Sequence, residues 1–410
     1  MPVYRHELKK VFYKFERFGK IIKMSLSKIK ISLLGRIVLA IIAGIILGTL
    51  LPWGAIRIFQ TFNSLFSSFL QFLIPLIIIG LVTPAIGNVG STAGKMLIVT
   101  VIISYLDSIF CGFLSFGVSG SLFPRFIGSF SDAGIETVQK TIPSYFSIEL
   151  PPIIDVLTAL VLSFVLGLGI AFIKTPTMKL LAEDFRNIVT KTIEKAIIPL
   201  LPLYIFGIFL VMTWSGQAMR IVSVFIEVIG IIFAMHIVIL ILQYIVAGTI
   251  TGRNPFTLLK TMLPAYFTAL GTSSSAATIP VTLAQTEANG VNRDIAGFVV
   301  PLCATIHLSG SIMKITACAV ALMLMNGMPV EAGTFAGFIM MLGVMMIAAP
   351  GVPGGAIMAA LGTLSTMLGF DQQMQALMIA LYITMDSFGT ACNVTGDGAI
   401  ALVIDKYFRK

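Results

Sequence analysis

Four polar residues fall at steps of four, three and four in the C-terminal segment TMDSFGTACNVTGDGAIALVI: Asp386, Thr390, Asn393 and Asp397. On a helix that spacing makes one stripe, because residues three and four apart share a face. A carboxylate at the centre of a bilayer costs at least about 2.5–3.5 kcal/mol, so two on one face call for cationic partners or bound cations. A second set stands upstream in TIHLSGSIMKITACAV, where steps of four and three put His307, Ser311 and Lys314 on one helical face, with Gly310 and its small polar neighbours weakening the helix there. Lys314 is an ammonium within an apolar stretch and needs an anion. Asp107 in ISYLDSIF, Asp386 and an anionic substrate all qualify, and the three stay open. The plainer readings are purely structural pairing of the acids and a satisfied core histidine at 307.

The elements that hold these residues are interrupted. Residues 268–280 read TALGTSSSAATIP and residues 350–357 read PGVPGGAI. Both are Gly-, Ser- and Pro-rich breaks in apolar surroundings. An opened backbone survives at membrane depth only where it lines a cavity or packs inside protein. A matched pair of interrupted segments points to the binding site of a secondary transporter. The expected arrangement is a hairpin with its tip at Ser273–Ser275, then a helix interrupted at Ser309-Gly310, then a hairpin with its tip near Gly351–Gly355, then the last helix. One complete span separates the two hairpins (about 258–292 and 332–370), so they enter from opposite sides. Half-helix N-termini near the midplane suit a carboxylate, and freed carbonyls suit a cation.

Composition sets the surroundings. Of 410 residues, 57% are hydrophobic and only 11% charged, with a mean hydropathy of +1.00. A soluble domain carries roughly a quarter charged residues, so the chain reads as an all-α polytopic membrane protein. Apolar stretches at 31–52, 63–86, 96–123, 152–173, 196–213, 221–247, 295–325 and 375–404 give eight spanning helices. The net charge of +9 is concentrated: ten of the 27 Lys and Arg lie within residues 1–36. Further basic residues around 174–195 and at 406–410 fall on the same side, which places both termini in the cytoplasm. The charge therefore marks topology and lipid attraction, not a nucleic-acid footprint. Residues 1–30 read as a basic amphipathic segment on the inner leaflet, with Phe12, Phe15, Phe18 and Ile22 at helical spacing, and no signal peptide is expected. Cys111, Cys303, Cys318 and Cys392 lie within spans without a CxxC pair, and neither a disulfide nor a metal framework is expected.

The run GTSSSAATIPVT resembles the first-hairpin signature of the dicarboxylate/amino acid:cation symporter family, the glutamate-transporter fold. PGVPGGAI is similar to that family's second hairpin tip, and NVTGD to its last-helix motif. The resemblance runs from about residue 31 to 406. It implies eight transmembrane helices with two oppositely oriented re-entrant hairpins, and a homotrimer working as an elevator. Residues 31–250 would hold mostly scaffold helices, with the third and sixth joining the transport domain, and 251–410 the transport core. It further implies that Ser274 and Ser275, with Val352, Pro353 and Gly354 of the second tip, meet the substrate. Asp386 would take an α-ammonium, while Ser311, Thr390 and Asn393 line the pocket. Asp397 and Asn393 would hold sodium with carbonyls near Cys303 and His307, and a second cation would sit between the Thr305 region and the second tip.

Departures from the family pattern matter too. The broken-helix motif, commonly Asn-Met-Asp-Gly-Thr, reads His307-Leu308-Ser309-Gly310-Ser311. Ser309 stands for an aspartate of a cation site, which Asp107 could restore. Alternatively His307, Asp107 and Lys314 form a proton-coupled group. Gly389 replaces an arginine that grips acidic side chains; the glycine removes the charge and opens volume, which favours a neutral side chain, unless Lys314 supplies the cation. The expectation is therefore a secondary symporter, not an enzyme, in the plasma (inner) membrane. Its substrate is an amino acid, neutral favoured, or a related small carboxylate, coupled to Na+ in preference to H+. An acidic amino acid or C4-dicarboxylate:proton symporter using Lys314 and His307 is the alternative. An ion channel and an intramembrane hydrolase are the rivals; the second lacks a GxSxG elbow.

Overall fold

The computed structural model describes residues 32–91, 95–131, 142–173, 176–216, 218–350 and 353–409. The expected amphipathic segment 1–30 lies outside them, as does Val352. Among the described residues all regular structure is helical, in sixteen α-helices. Six runs are long and apolar enough to cross a membrane: Leu33–Leu50, Trp53–Gly87, Lys95–Ile127, Pro176–Trp214, Ile221–Thr251 and Arg293–Met325. The bent pair Gln372–Thr384 and Asp386–Phe408 makes a seventh.

Helix α1 (Leu33–Leu50) packs on α6 (Ile198–Trp214). The approach is close: a Cβ on Gly48 would lie 2.6 Å from Thr213 Cβ and 2.8 Å from the Leu210 carbonyl. Small residues at such crossings are how apolar helices gain contact without a hydrophobic driving force. Helix α2 (Trp53–Ser91) packs on α4 (Val156–Ile173) and α5 (Pro176–Thr192). The π turn Ile193–Ile197 joins α5 to α6. At 18 residues, α4 sits at the short end of spanning length. It exposes Val161, Val165, Leu168 and Phe172 at steps of four, three and four, an outward apolar face.

The C-terminal half holds the two hairpins. The first follows the short α8 (Pro255–Thr261) and pairs α9 (Leu263–Thr272) with α10 (Ser275–Ala288). Its tip is Ser273 in the left-handed region (φ 50) and Ser274, whose hydroxyl accepts from the Ala277 N–H at 3.3 Å as an N-cap. The second pairs α13 (Ala332–Ala348) with α14 (Gly355–Leu368), which opens on Gly354 at φ 75. Between them lie α11 (Arg293–Ile306), capped by Asn292, and α12 (Ser309–Met325). Last come α15 (Gln372–Thr384), capped by Asp371, and α16 (Asp386–Phe408). Helix α16 is the hub. It touches α3 (Lys95–Ser131), α7 (Ala218–Thr251), both arms of the first hairpin, α11, α12 and α15.

Two expectations shift. The interruption after α11 falls at His307 and Leu308 (φ −106 and −125), two residues before Ser309-Gly310. Ser309 and Gly310 instead form the first turn of α12, because the Gly310 N–H is held at 2.8 Å by the Asn393 side-chain oxygen of α16. The expected single span 375–404 is broken at Met385, with a bend of 62° between α15 and α16. No glycine or proline marks that bend. The four cysteines are free and buried.

Candidate functional site

Both hairpin tips reach two consecutive residues at the start of α16. From the first tip, the Ser273 hydroxyl lies 2.7 Å from the Ser387 hydroxyl. From the second, the Gly354 N–H donates to Asp386 Oδ2 at 2.9 Å. Asp386 thus caps the first turn of α14 from another helix, where its negative charge complements the helix dipole. Ser275 and Gly354 are buried, Ser274 and Pro353 half-buried. Thr390 is buried one turn along α16.

The polar stripe on α16 is buried along its length, and Asp386, Asn393 and Asp397 sort into two clusters. In the first, Lys314, fully buried, donates to Asp386 Oδ1 at 3.3 Å and to the Met385 carbonyl at 3.5 Å. Its ammonium also stands 3.7 Å from the centre of the Tyr382 ring. Of the three anions open to Lys314, Asp386 is its partner. The Tyr382 hydroxyl meets Ser311 Oγ at 3.0 Å, and the Asn393 amide donates to the same oxygen at 3.2 Å. The volume that Gly389 was expected to open is filled: a Cβ there would lie 2.5 Å from both Cε and Nζ of Lys314.

The second cluster lies about three turns further along α16. His307 Nδ1 is 2.9 Å from Asp397 Oδ1, and its Nε2 is 2.7 Å from Asp107 Oδ2 on α3. Gln243 of α7 donates to the same Asp107 oxygen at 2.7 Å and reaches Ser309 Oγ at 3.4 Å. The expectation that His307, Ser311 and Lys314 share a face fails here. His307 sits in the extended break, so helical counting from it does not hold, and it joins Asp397 while Ser311 and Lys314 join the Asp386 cluster. Cys303 contacts Ser104 at 3.6 Å. Thr305 is exposed and donates to the Leu302 carbonyl of its own helix.

Sequence reasoning missed Gln243, Tyr382 and Ser387. Each is a single polar residue in an apolar run or at a helix end, with no spacing to flag it. A cavity of about 270 Å³ between α2, α6 and the start of α15, lined by both polar residues (Asn63, Ser67, Tyr204, Gln372) and apolar ones (Ile208, Met212), includes none of the charged groups above.

The profile of the sodium:dicarboxylate symporter family matches residues 33–407. The chain belongs to that family. It is therefore homologous to cation-coupled symporters, a family of transporters and not of enzymes. Human excitatory amino acid transporter 2 is 28% identical over 246 residues, 58% of this chain but only 42% of that protein. The serine/threonine transporter SstT of Acinetobacter baumannii is 25% identical over 394 residues, 92% of this chain and 97% of that one. The match to the human transporter thus spans about two-fifths of its length.

Proposed function

We propose that this chain brings a small carboxylate, an amino acid or a close chemical relative, into the cell in symport with sodium, by moving the hairpin-bearing half against a fixed scaffold. The convergence of both hairpin tips on Asp386 and Ser387 carries this reading. Two gates built on one pair of adjacent residues enclose the substrate from both sides, the arrangement alternating access requires. The single span between the hairpins supports their entry from opposite sides, giving eight spans with two re-entrant hairpins. Basic residues near 1–36 and 174–195 support cytoplasmic termini in a plasma membrane. Exposed apolar faces such as that of α4 suit lipid and the contacts of a homotrimer. The α1–α6 and α2–α4 pairs supply the scaffold.

For the ion, Asp397 is the fitting group. Its Oδ2 is buried and takes no hydrogen bond from the protein, as is true of Gln243 Oε1 and Thr395 Oγ1 nearby in the fold. Oxygen acceptors left over in a dry site suit a hard cation. Protons as the coupling ion are the second reading, favoured by the His307 bridge between Asp107 and Asp397. For the substrate, the neutral side chain expected from Gly389 loses its support, since Lys314 fills that space with a positive charge. Purified protein in vesicles decides the reading. Imposed inward sodium and pH gradients should drive saturable accumulation of an amino acid or small organic acid. Flux that never saturates, or ignores both gradients, refutes it.

A further inference from the structure

We infer that Lys314 supplies from within the chain the cation that Asp386 faces in the closed site, so that the substrate is a small carboxylate without an α-ammonium group. This rests on the symport reading and narrows its substrate.

Both oxygens of Asp386 are engaged, Oδ1 by the Lys314 ammonium at 3.3 Å and Oδ2 by the Gly354 N–H at 2.9 Å. The carboxylates of partly buried Asp107 and buried Asp397 share His307, and Asp397 stands about 16 Å further along α16 by helical rise. His236 faces the same region from α7, with Nε2 3.3 Å from the Gly310 carbonyl, and brings no anion. An amino acid would carry its ammonium to a carboxylate already neutralised, beside a second ammonium, in a dry site. A carboxylate meets the opposite situation. The Lys314 bonds of 3.3 and 3.5 Å are long for a charged donor, which normally reaches about 2.7–2.9 Å. Its positive charge is thus incompletely satisfied and can turn to a stronger acceptor.

Lys314 is built into this position rather than resting there. The Tyr382 ring lies under its ammonium. Residue 389 must be glycine for the lysine to lie where it does, because a Cβ would sit 2.5 Å from its terminal carbon and nitrogen. Lysine and glycine together form one feature, contributed by α12 and α16.

The test uses the purified full chain and compounds paired by carbon skeleton: L-lactate with L-alanine, glycerate with L-serine, L-malate with L-aspartate, 2-hydroxyglutarate with L-glutamate. Thermal stabilisation and uptake are measured in sodium. In at least one pair the amine-free acid should bind roughly 100-fold or more tighter than its amino partner, the usual size of the penalty for an unpaired buried polar group. Lys314→Met should reverse that preference, because Asp386 is then left needing a cation. Should that variant fail to fold, Lys314→Met/Asp386→Asn removes both charges together. It should lose at least about tenfold in affinity for the amine-free acid, the loss of one charge-assisted contact, without gaining the amino acid. Tighter binding of an amino acid than of its hydroxy partner by the unaltered chain overturns the inference. So does unchanged affinity in the double variant, or stabilisation by none of the amine-free acids. Gradient-driven uptake of an amino acid with Lys314 intact would sink this inference while leaving symport standing.

Discussion

Replacing Gly389 by alanine is the sharpest probe of how α12 and α16 fit together. Alanine is the better helix former by about 1 kcal/mol, so in an isolated helix the change stabilises. Here the new methyl would lie 2.5 Å from Lys314 Cε and Nζ and 3.0 Å from its Cδ. Ordinary contact needs at least 3.4 Å, so the lysine end must retreat by about 1 Å. It is fully buried and walled by Tyr382 and Asp386, so retreat stretches a 3.3 Å ion pair. Breaking a buried pair costs about 3–5 kcal/mol, and the helix propensity returns about 1. The expected net loss is about 2–4 kcal/mol, read as a lower midpoint in a detergent thermal melt. Gly117→Ala is the control, since its Cβ would meet nothing within 4 Å, and it should be neutral or mildly stabilising. The cycle is completed in a Lys314→Ala background, where the clash is gone and Gly389→Ala should cost nothing. Equal cost in both backgrounds, or none in the unaltered chain, would show that Lys314 does not lie against residue 389.

Three further outcomes follow from the same geometry. Asp397→Asn should abolish ion-dependent stabilisation, about 2.7 kcal/mol at a sodium concentration a hundred times its dissociation constant; a sodium-dependent melting shift that persists unchanged would refute Asp397 as the ion's ligand. Gly310→Ala should destabilise by about 1–3 kcal/mol through overpacking, because its Cβ would meet the Gly389 carbonyl at 2.8 Å and Cys392 Cβ at 2.9 Å, atoms that cannot rotate away; a normal melting temperature would refute the close α12–α16 crossing. Arg57→Ala should leave transport intact while loosening the segment after residue 142. Arg57 donates to the Pro143 and Ser144 carbonyls at 3.0 and 3.2 Å and stacks on Trp53 and Tyr145, and limited proteolysis near Tyr145 reads the change.

The elements were legible where chemistry is local. Apolar runs marked the spans, and GTSSSAATIP and PGVPGG marked both hairpin turns, because serine caps and glycine at positive φ are demands of a single turn. The stripe on α16 was legible because its spacing is a property of one helix. What escaped depends on partners. The break at Met385 has no breaker residue, and the α12 start moved because Asn393, distant in sequence, holds the Gly310 N–H. Lys314 had three candidate anions, and only packing selects Asp386. The Gly389 substitution looked like lost charge and gained room. In the fold a neighbouring helix puts the charge back and takes the room.

On the proposed reading, that exchange bears on how the site would couple its two hairpin tips. Asp386 holds the second tip through the Gly354 N–H while its neighbour Ser387 holds the first through Ser273, and Lys314 pulls on the same carboxylate from α12. A ligand that draws Lys314 toward itself weakens its hold on Asp386 Oδ1 and leaves that carboxylate freer to hold the Gly354 N–H. Anion binding would then tighten the second gate through a shared acceptor, with no further moving part. Linkage requires the converse, that a closed second tip raises affinity for the anion by the same factor. Helix α16 carries Asp397 on the same face about three turns away, so on the proposed reading a cation there would bind the same helix whose start holds both hairpin tips.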